Sequence, residues 1–426
     1  ILQYIDTKKL PQVYIIIDEY DNFANKLITS NQDALYDELT DDSGFLKTFF
    51  KVLKAGREDG IIVNNFITGI LPITIDELTS AYNTGTFLTL DPGFEAMIGF
   101  TQPEVNQLLD QVYVDHALDP TTRNEVNTII KENYNGYHFV KPGGEALYNS
   151  TILMYFLRYL TLHKEIPDEL TDLNIKTEFP WVQRITSGKP DDTEEFVTKL
   201  TQENRVAYSR SFLVSKFDMY QFFQKEFYPI SFFYLGLLTK RDHFHLGLPN
   251  LNTKQIFIQY FNQIHNIDVS DRYADMMQSF INHPNMARLF ADYWELYIKQ
   301  FPEAVFQPVN ENFYRSTFFQ LCSIHLSPWF TWNVERSYPE GKSDLEFVGK
   351  YHEQFAGMRW VIEFKYFSNS KVQEDGIKID EFQLRDKDKR QLMGYARGLE
   401  QEYPEAKVEL FVIYCFGNKG FRVFEL

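Results

Sequence analysis

Two hydrophobic rhythms run along this chain. Residues 11–17, Pro-Gln-Val-Tyr-Ile-Ile-Ile, are a short β-branched run and predict a strand buried on both faces of a parallel sheet. The acidic tetrad Asp18-Glu19-Tyr20-Asp21 follows at its C-terminal end. A polar stretch from about Asp33 to Lys54 carries Phe45, Leu46, Phe49, Phe50 and Leu53 at helical spacing. A second apolar strand is expected at Ile61–Ile67, ending in Thr68-Gly69 and closed by Leu71-Pro72. Strand, helix, strand is the α/β pattern. From about 94 to 166 the periodicity is helical, with breaks at Pro103, Gly136 and Pro142-Gly143-Gly144. Residues 167–205 are polar and proline-broken and read as a connector. Phe212–Phe223, Tyr228–Leu238 and Asp271–Phe301 are dense in aromatics and read as packed helices whose aromatic stripes form core.

The rhythm changes in the last part of the chain. A helix is expected after Pro308, over Asn312–His325, and then extended segments at Trp329–Tyr338 and Asp344–Tyr351 around the turn Pro339-Glu340-Gly341-Lys342. Arg359–Phe367 predicts a third strand, about Asp380 to Glu402 a charged helix, and Val408–Phe416 a final strand, with a short one at Gly420–Leu426. The predicted order is α-β-β-β-α-β.

Length and charge sharpen this outline. At 426 residues the chain exceeds what one core usually organises, so two or three domains are expected. Its two cysteines, Cys322 and Cys415, exclude a disulfide framework and a zinc ribbon and favour a reducing compartment, read here as the cytoplasm. No apolar run approaches the roughly 18 to 20 residues of a membrane helix, so no membrane partner is expected. The chain opens on Ile1, without a signal peptide, and reads as a piece with sequence missing upstream. The net charge of −17 argues against wholesale coating of nucleic acid. That charge is uneven: residues 301–426 hold 16 basic and 19 acidic side chains, and residues 1–300 hold 26 and 40. The nearly neutral C-terminal part also contains the basic cluster Arg385, Lys387, Lys389 and Arg390.

The candidate chemistry lies there. In Trp360-Val361-Ile362-Glu363-Phe364-Lys365, strand alternation projects Glu363 and Lys365 to one face and Phe364 to the other. Charges on an apolar strand are costly unless paired or functional. Asp344, opening the preceding strand after a turn, completes a set suited to metal-assisted phosphodiester hydrolysis. Asp344 and Glu363 would supply hard oxygen ligands to Mg²⁺ or Mn²⁺, and Lys365 would position water or offset developing charge. Asp344…Glu363-Phe364-Lys365, with the α-β-β-β-α-β order, resembles the PD-(D/E)xK nuclease superfamily. The resemblance implies two more site residues: Glu311, opening the first core helix, as a metal or water ligand, and Gln391, in the later helix near Tyr395, touching water or the nucleic-acid backbone. Gly341-Lys342-Ser343 imitates the end of a phosphate-binding loop, but the required glycine is replaced by Arg336 and the segment leads into a strand. His138, His243 and His245 lack metal-ligand spacing and read as core or solvated histidines.

At the other end, Val13-Tyr14-Ile15-Ile16-Ile17-Asp18-Glu19 reads as a Walker B strand. Asp18 would reach Mg²⁺, Glu19 would polarise the attacking water, and Thr68 would take a sensor position on the neighbouring strand. Ile17-Asp18-Glu19-Tyr20-Asp21, Phe66-Ile67-Thr68-Gly69-Ile70-Leu71-Pro72-Ile73, Tyr134-Asn135-Gly136-Tyr137-His138-Phe139 and Leu147-Tyr148-Asn149 resemble the AAA-ATPase-like domain fused to a PD-(D/E)xK nuclease in bacterial, Bacteroides-type proteins; Ser150 replaces that family's usual proline. No GxxxxGK[ST] occurs, so ATP and its Mg²⁺ are expected only if a P-loop lies upstream of Ile1.

The expected architecture is therefore a multidomain α/β protein: a partial P-loop ATPase-type domain over 1–160, a helical middle over 161–300, and a restriction-endonuclease-like domain over 301–426. The resemblance implies ATP-gated, metal-dependent cleavage of nucleic acid, DNA in particular, and an oligomer formed through the ATPase-like part. The alternative is a non-catalytic nucleic-acid- or protein-binding scaffold in which both folds are degenerate, which the acidic charge and missing P-loop favour.

Overall fold

The computed structural model describes the chain except residues 31, 42–43, 72–85, 169, 171–181, 183, 186–189, 215–217, 269–271, 307–308 and 351–352. Pro72 and Ile73 of the N-terminal motif, Pro308, Tyr351 and much of the 167–205 connector thus lie outside the described residues.

At the N-terminal end, β1 (Val13–Ile17) pairs in parallel with β2 (Ile62–Ile67), and α1 (Phe45–Glu58) covers one face. Phe50, Leu53 and Ile62 are buried there, with Val13, Ile15 and Leu46 packed around them. Tyr14 and Ile16 are exposed, which corrects the expectation of a strand buried on both faces: the residues pointing away from α1 do not join this cluster. The helix expected from Asp33 to Lys54 is two, Asp33–Thr40 and Phe45–Glu58. Gly44 caps the second, at a place where an added Cβ would lie 2.4 Å from the Leu39 carbonyl oxygen.

Three helices, α2 (Gln102–Asp115), α3 (Arg123–Tyr134) and α4 (Ser150–His163), share a core built on Val105, Leu109, Val126, Ile130 and Phe156. Asn149 caps α4 by accepting the Ile152 N–H. The Tyr134–Phe139 and Leu147–Asn149 motifs form short bridges, Tyr137 to Leu147 and Phe100 to Tyr148. Gly136 joins this unit to the middle of the chain. Its φ is +102°, and a Cβ would fall 2.2 Å from the Pro249 carbonyl oxygen. Gly136→Ala is expected to cost about 1–3 kcal/mol in urea unfolding; an unchanged midpoint would show that this contact relaxes freely.

In the middle, α5 (Pro190–Glu203) occupies part of the expected connector. Its polar face hid the buried Phe196, Val197 and Leu200, which pack near α6 (Leu251–Ile264). A small antiparallel sheet, β3 (Val206–Ala207), β4 (Thr239–Lys240) and β5 (His245–Gly247), in the order β3-β5-β4, has strands too short for periodicity to reveal. The aromatic runs break into shorter helices than expected, Arg210–Val214, Met219–Phe222 and Tyr228–Tyr234, followed by α7 (Arg272–Asn282) and α8 (Met286–Leu296).

The C-terminal fold begins with α9 (Glu311–Leu326), β6 (Phe330–Val334), the hairpin β7 (Ser337–Tyr338) and β8 (Gly341–Lys342), β9 (Leu345–Gly349) and β10 (Met358–Phe367). A short α10 (Asn369–Glu374), α11 (Asp386–Glu402), β11 (Lys407–Phe416) and β12 (Gly420–Glu425) complete it. The five-stranded sheet has the order β12-β11-β10-β9-β6; β10 and β11 are parallel and the other pairs antiparallel. The charged helix starts at Asp386, not Asp380, because the Phe382 ring is drawn onto Phe367, Tyr414 and Phe416 and holds the preceding loop extended. Alternation in β10 sends Trp360, Ile362 and Phe364 into the large core shared with α8 and α9, and Val361 into the core beneath α11. Edge strand β6 is covered by α3: Glu125 accepts from the Thr331 hydroxyl at 3.4 Å and the Glu132 carboxylate lies beside the Val334 backbone. Among the described residues no helix is long and apolar enough to cross a membrane.

Candidate active site

Glu363 sits mid-strand in β10, only 3% exposed. Its Oε1 accepts from the Lys365 ammonium at 2.6 Å and from the Gln391 amide on α11 at 3.0 Å. Lys365 therefore lies on the same face as Glu363, while the Phe364 ring packs on Phe290 and Phe318 behind the strand. The Gln391 amide also donates to the Tyr395 hydroxyl one turn on, and Tyr395 donates to the Lys342 carbonyl at 2.7 Å. A chain of hydrogen bonds thus runs from the site carboxylate to the β7–β8 hairpin. That hairpin contains the Gly341-Lys342 segment, which was expected as a turn and instead pairs as a short strand with Ser337-Tyr338 before the chain enters β9.

Asp344 lies between β8 and β9. Its Oδ2 accepts the backbone N–H of Phe364 at 2.7 Å, and its Oδ1 accepts from Arg315 of α9 at 3.2 Å. Asp344 and Glu363 are thereby held beside the same stretch of β10. Arg315 bonds Glu335 as well, at 2.6 Å. Glu311 starts α9 one turn before Arg315 and shares the electrostatic field of Asp344, Glu363 and Lys365.

Burial dominates the electrostatics. It pushes the Glu363 carboxyl up to about 7, helped by the Asp344 charge and opposed by Lys365. Asp344 also moves up through burial, against the pull of Arg315, the Phe364 N–H and Lys365. Glu311 moves up, from desolvation and then the Asp344 charge. Burial alone would lower the Lys365 amine, but the Glu363 carboxylate outweighs it and the amine rises. Three acids that resist ionising together, around one ammonium, form a site short of positive charge.

The donor set fits a hard divalent cation. The second Glu363 oxygen, Oε2, is buried and has no hydrogen-bond partner. An orphaned carboxylate oxygen next to another carboxylate is what an oxygen-seeking ion satisfies. Among the described residues no three His, Cys, Asp or Glu side chains form a ready metal cage. An ion here would therefore draw on one or two carboxylates plus water and phosphate oxygens, the usual manner of Mg²⁺.

Arg315 was not singled out in the sequence. An arginine inside a helix has no motif, and only its position behind Asp344 reveals it. Glu346 was missed for a similar reason: it is buried in β9, accepting from Ser343 at 2.8 Å, from Asn333 at 3.0 Å and from Tyr338, with Arg336 at 3.5 Å. Of the basic cluster, Lys387, Lys389 and Arg390 are exposed, whereas Arg385 stacks over the Phe367 ring at 4.5 Å.

The N-terminal acids also come together. The Thr68 hydroxyl donates to Asp18, whose Oδ1 also accepts the Glu19 N–H at 3.0 Å. Glu19 has a left-handed backbone, φ +51°, and its carboxylate accepts from Asn22 at 2.7 Å. Asp21 is buried and accepts the Ile70 and Leu71 N–H groups at 3.0 and 2.6 Å, tying the two strand ends together.

Neither a curated protein nor a solved structure matches the chain. Residues 309–425 match the family model of the PD-(D/E)XK nuclease superfamily, and residues 1–79 match the one described as Predicted AAA-ATPase. The chain thus carries an AAA-ATPase-like domain at its N-terminal end and a PD-(D/E)XK nuclease superfamily domain at its C-terminal end.

Proposed function

We propose that the C-terminal domain hydrolyses phosphodiester bonds of DNA with a divalent cation, Mg²⁺ or Mn²⁺, held by Asp344 and Glu363 with Glu311 at the edge of the site. The observation that carries this reading is the Glu363 carboxylate: buried, gripped on one oxygen by Lys365 and Gln391, and unpartnered on the other. When bound, the cation supplies Lewis acidity and a more acidic water. The chain's own groups do the rest. Lys365 sets its ammonium where a nucleophilic water or a phosphate oxygen approaches, and opposes negative charge as it develops. Gln391, anchored by Tyr395, keeps the Glu363 carboxylate in one orientation. Exposed Lys387, Lys389 and Arg390 on the first turn of α11 offer contacts for the phosphate backbone in an otherwise acidic chain.

On this reading the N-terminal Asp18, Glu19 and Thr68 belong to an ATP–Mg²⁺ site whose phosphate-cradling loop is not in this sequence. The cover of α3 on β6 supports mechanical coupling of the two ends, in boundaries close to 1–160, 161–300 and 301–426. Cytoplasmic residence, a bacterial source and assembly through the ATPase-like part are the accompanying proposals.

The test is calorimetric titration of the whole chain with Mn²⁺ across pH. Because Glu363 titrates near 7, it is protonated below that value and must release its proton to bind the ion. Mn²⁺ affinity is expected to fall roughly ten-fold per pH unit below 7, with about one proton released per ion bound. Glu363→Gln should flatten the profile. The net charge of −17 favours a second reading, a non-catalytic scaffold. Absence of Mn²⁺ binding, or binding that Glu363→Gln leaves intact, would select it.

A further inference from the structure

Glu335, in the turn between β6 and β7, gathers cations from distant parts of the chain. Arg315 of α9 bonds it at 2.6 Å. Lys342 of β8, Lys254 in the first turn of α6 and Arg241, between β4 and β5, also act on its charge. The Glu335 backbone N–H donates to the Asp344 carbonyl at 3.3 Å, so this cluster adjoins the nuclease residues.

The positive charge around Glu335 is in surplus. Arg315 is already shared with Asp344. The ammonium groups of Lys254 and Lys342 make no hydrogen bond or ion pair among the described residues, and the Arg241 guanidinium donates to an uncharged acceptor, the Leu248 carbonyl. Burial pushes the Lys254 amine down to about 8, the Arg315 and Arg241 charges push the same way, and Glu335 opposes them. Burial also lowers Arg241, although that residue is exposed, so its guanidinium stands in a hollow of the surface. Cations held together and partly stripped of water favour an anion between them.

Position identifies the anion. A nucleic-acid strand whose scissile phosphate lies at Asp344 and Glu363 carries further phosphates on either side of it. The turn that holds Glu335 leads directly from Asp344 to Lys254 and Arg241.

We propose that Lys254 and Arg241, with Lys342, form a subsite for a backbone phosphate flanking the scissile one on a bound DNA strand. Glu335 is the resident counter-ion of that subsite in the free protein and competes with the phosphate. The inference rests on the nuclease reading for the identity of the strand. It adds to that reading two residues of the middle of the chain that lie outside both family matches, 1–79 and 309–425.

The experiment measures binding of the full chain to fluorescently labelled DNA by anisotropy, in EDTA so that nothing is cut, from about 50 to 200 mM salt. Lys254→Met and Arg241→Met are each expected to weaken binding about ten-fold, to the same degree on unrelated sequences, and to lower the slope of log K against log salt by about 1. Lys254→Arg should restore both, which a merely structural role for the lysine would not predict. Glu335→Gln should tighten binding at low salt. Lys164→Met, which removes one exposed cation far along the chain, is the control for net charge. Urea unfolding of each variant checks the fold, and Lys254→Met should be no less stable than the parent, since it removes a desolvated cation lying among others. The proposal is overturned if the Lys254 and Arg241 variants bind like the control, if Glu335→Gln weakens binding, or if the parent chain binds no DNA up to about 0.1 mM. Cleavage assays keep the two readings apart. Normal binding by Lys254→Met beside lost cutting by Lys365→Ala removes the subsite and keeps the nuclease. Weakened binding by Lys254→Met beside undiminished cutting by Asp344→Ala does the reverse.

Discussion

Asp344→Ala and Lys365→Ala are each expected to lower the proposed metal-dependent cleavage of DNA by about 10³-fold or more. The expectation follows from how little redundancy the site holds. The structure places one ammonium against Glu363, that of Lys365, and Asp344 is fixed beside β10 by the Phe364 N–H and Arg315. On the proposed reading, removing Asp344 deletes an oxygen ligand and leaves Arg315 with Glu335 alone, so that its cation would repel the incoming ion. Removing Lys365 leaves Glu363 buried beside Asp344 without its cation, so the carboxyl should rise beyond about 7 and, on the proposed reading, bind metal less well at neutral pH. Single-turnover assays on supercoiled and linear DNA with Mg²⁺ or Mn²⁺ are the measurement. If both variants cut at the wild-type rate in clean preparations, the assignment of this site is wrong. Gln391→Leu, which only orients Glu363, should lose less, and mostly in the rate of the bound complex.

The second large effect concerns stability. The Arg315 side chain is 6% exposed and bridges Asp344, 14% exposed, and Glu335, 48% exposed. Breaking a buried pair by removing one partner costs about 3–5 kcal/mol, because the other charge is left desolvated. The Glu335 arm is open to water and adds at most about 1 kcal/mol. Arg315→Met should therefore unfold at markedly lower denaturant, with a loss near 3 kcal/mol, and Asp344→Asn in the same chain should recover part of it. A loss below about 0.5 kcal/mol would mean that Asp344 is already neutral in the free protein and Arg315 does not hold it. The two experiments address one carboxylate from opposite sides, as the proposed metal ligand and as the arginine's partner.

The motif of β10 was legible because its information is local. Strand alternation places Glu363 and Lys365 together whatever surrounds them, and the 2.6 Å contact follows. Asp18 and Thr68 lie far apart in the chain and meet because β1 and β2 pair in parallel. Gln391 depended on a resemblance and on helix α11 reaching the sheet. Helix α5 was read as connector because its sequence is polar on average, and only the partner beside it shows which face is buried. Strands β3 to β5 were invisible because two or three residues carry no period.

From residue order alone, then, came the α/β class, the strand-helix alternation at each end and the acids that pair in sequence-adjacent frames, since backbone geometry repeats every two or 3.6 residues and needs no neighbour. Packing of segments far apart in the chain added the rest. It set Arg315 behind Asp344 and laid α3 over the edge of β6. Desolvation is likewise a property of the assembled core: Glu363 is an ordinary carboxylic acid until the sheet and α11 close around it and lift its proton affinity to near neutrality.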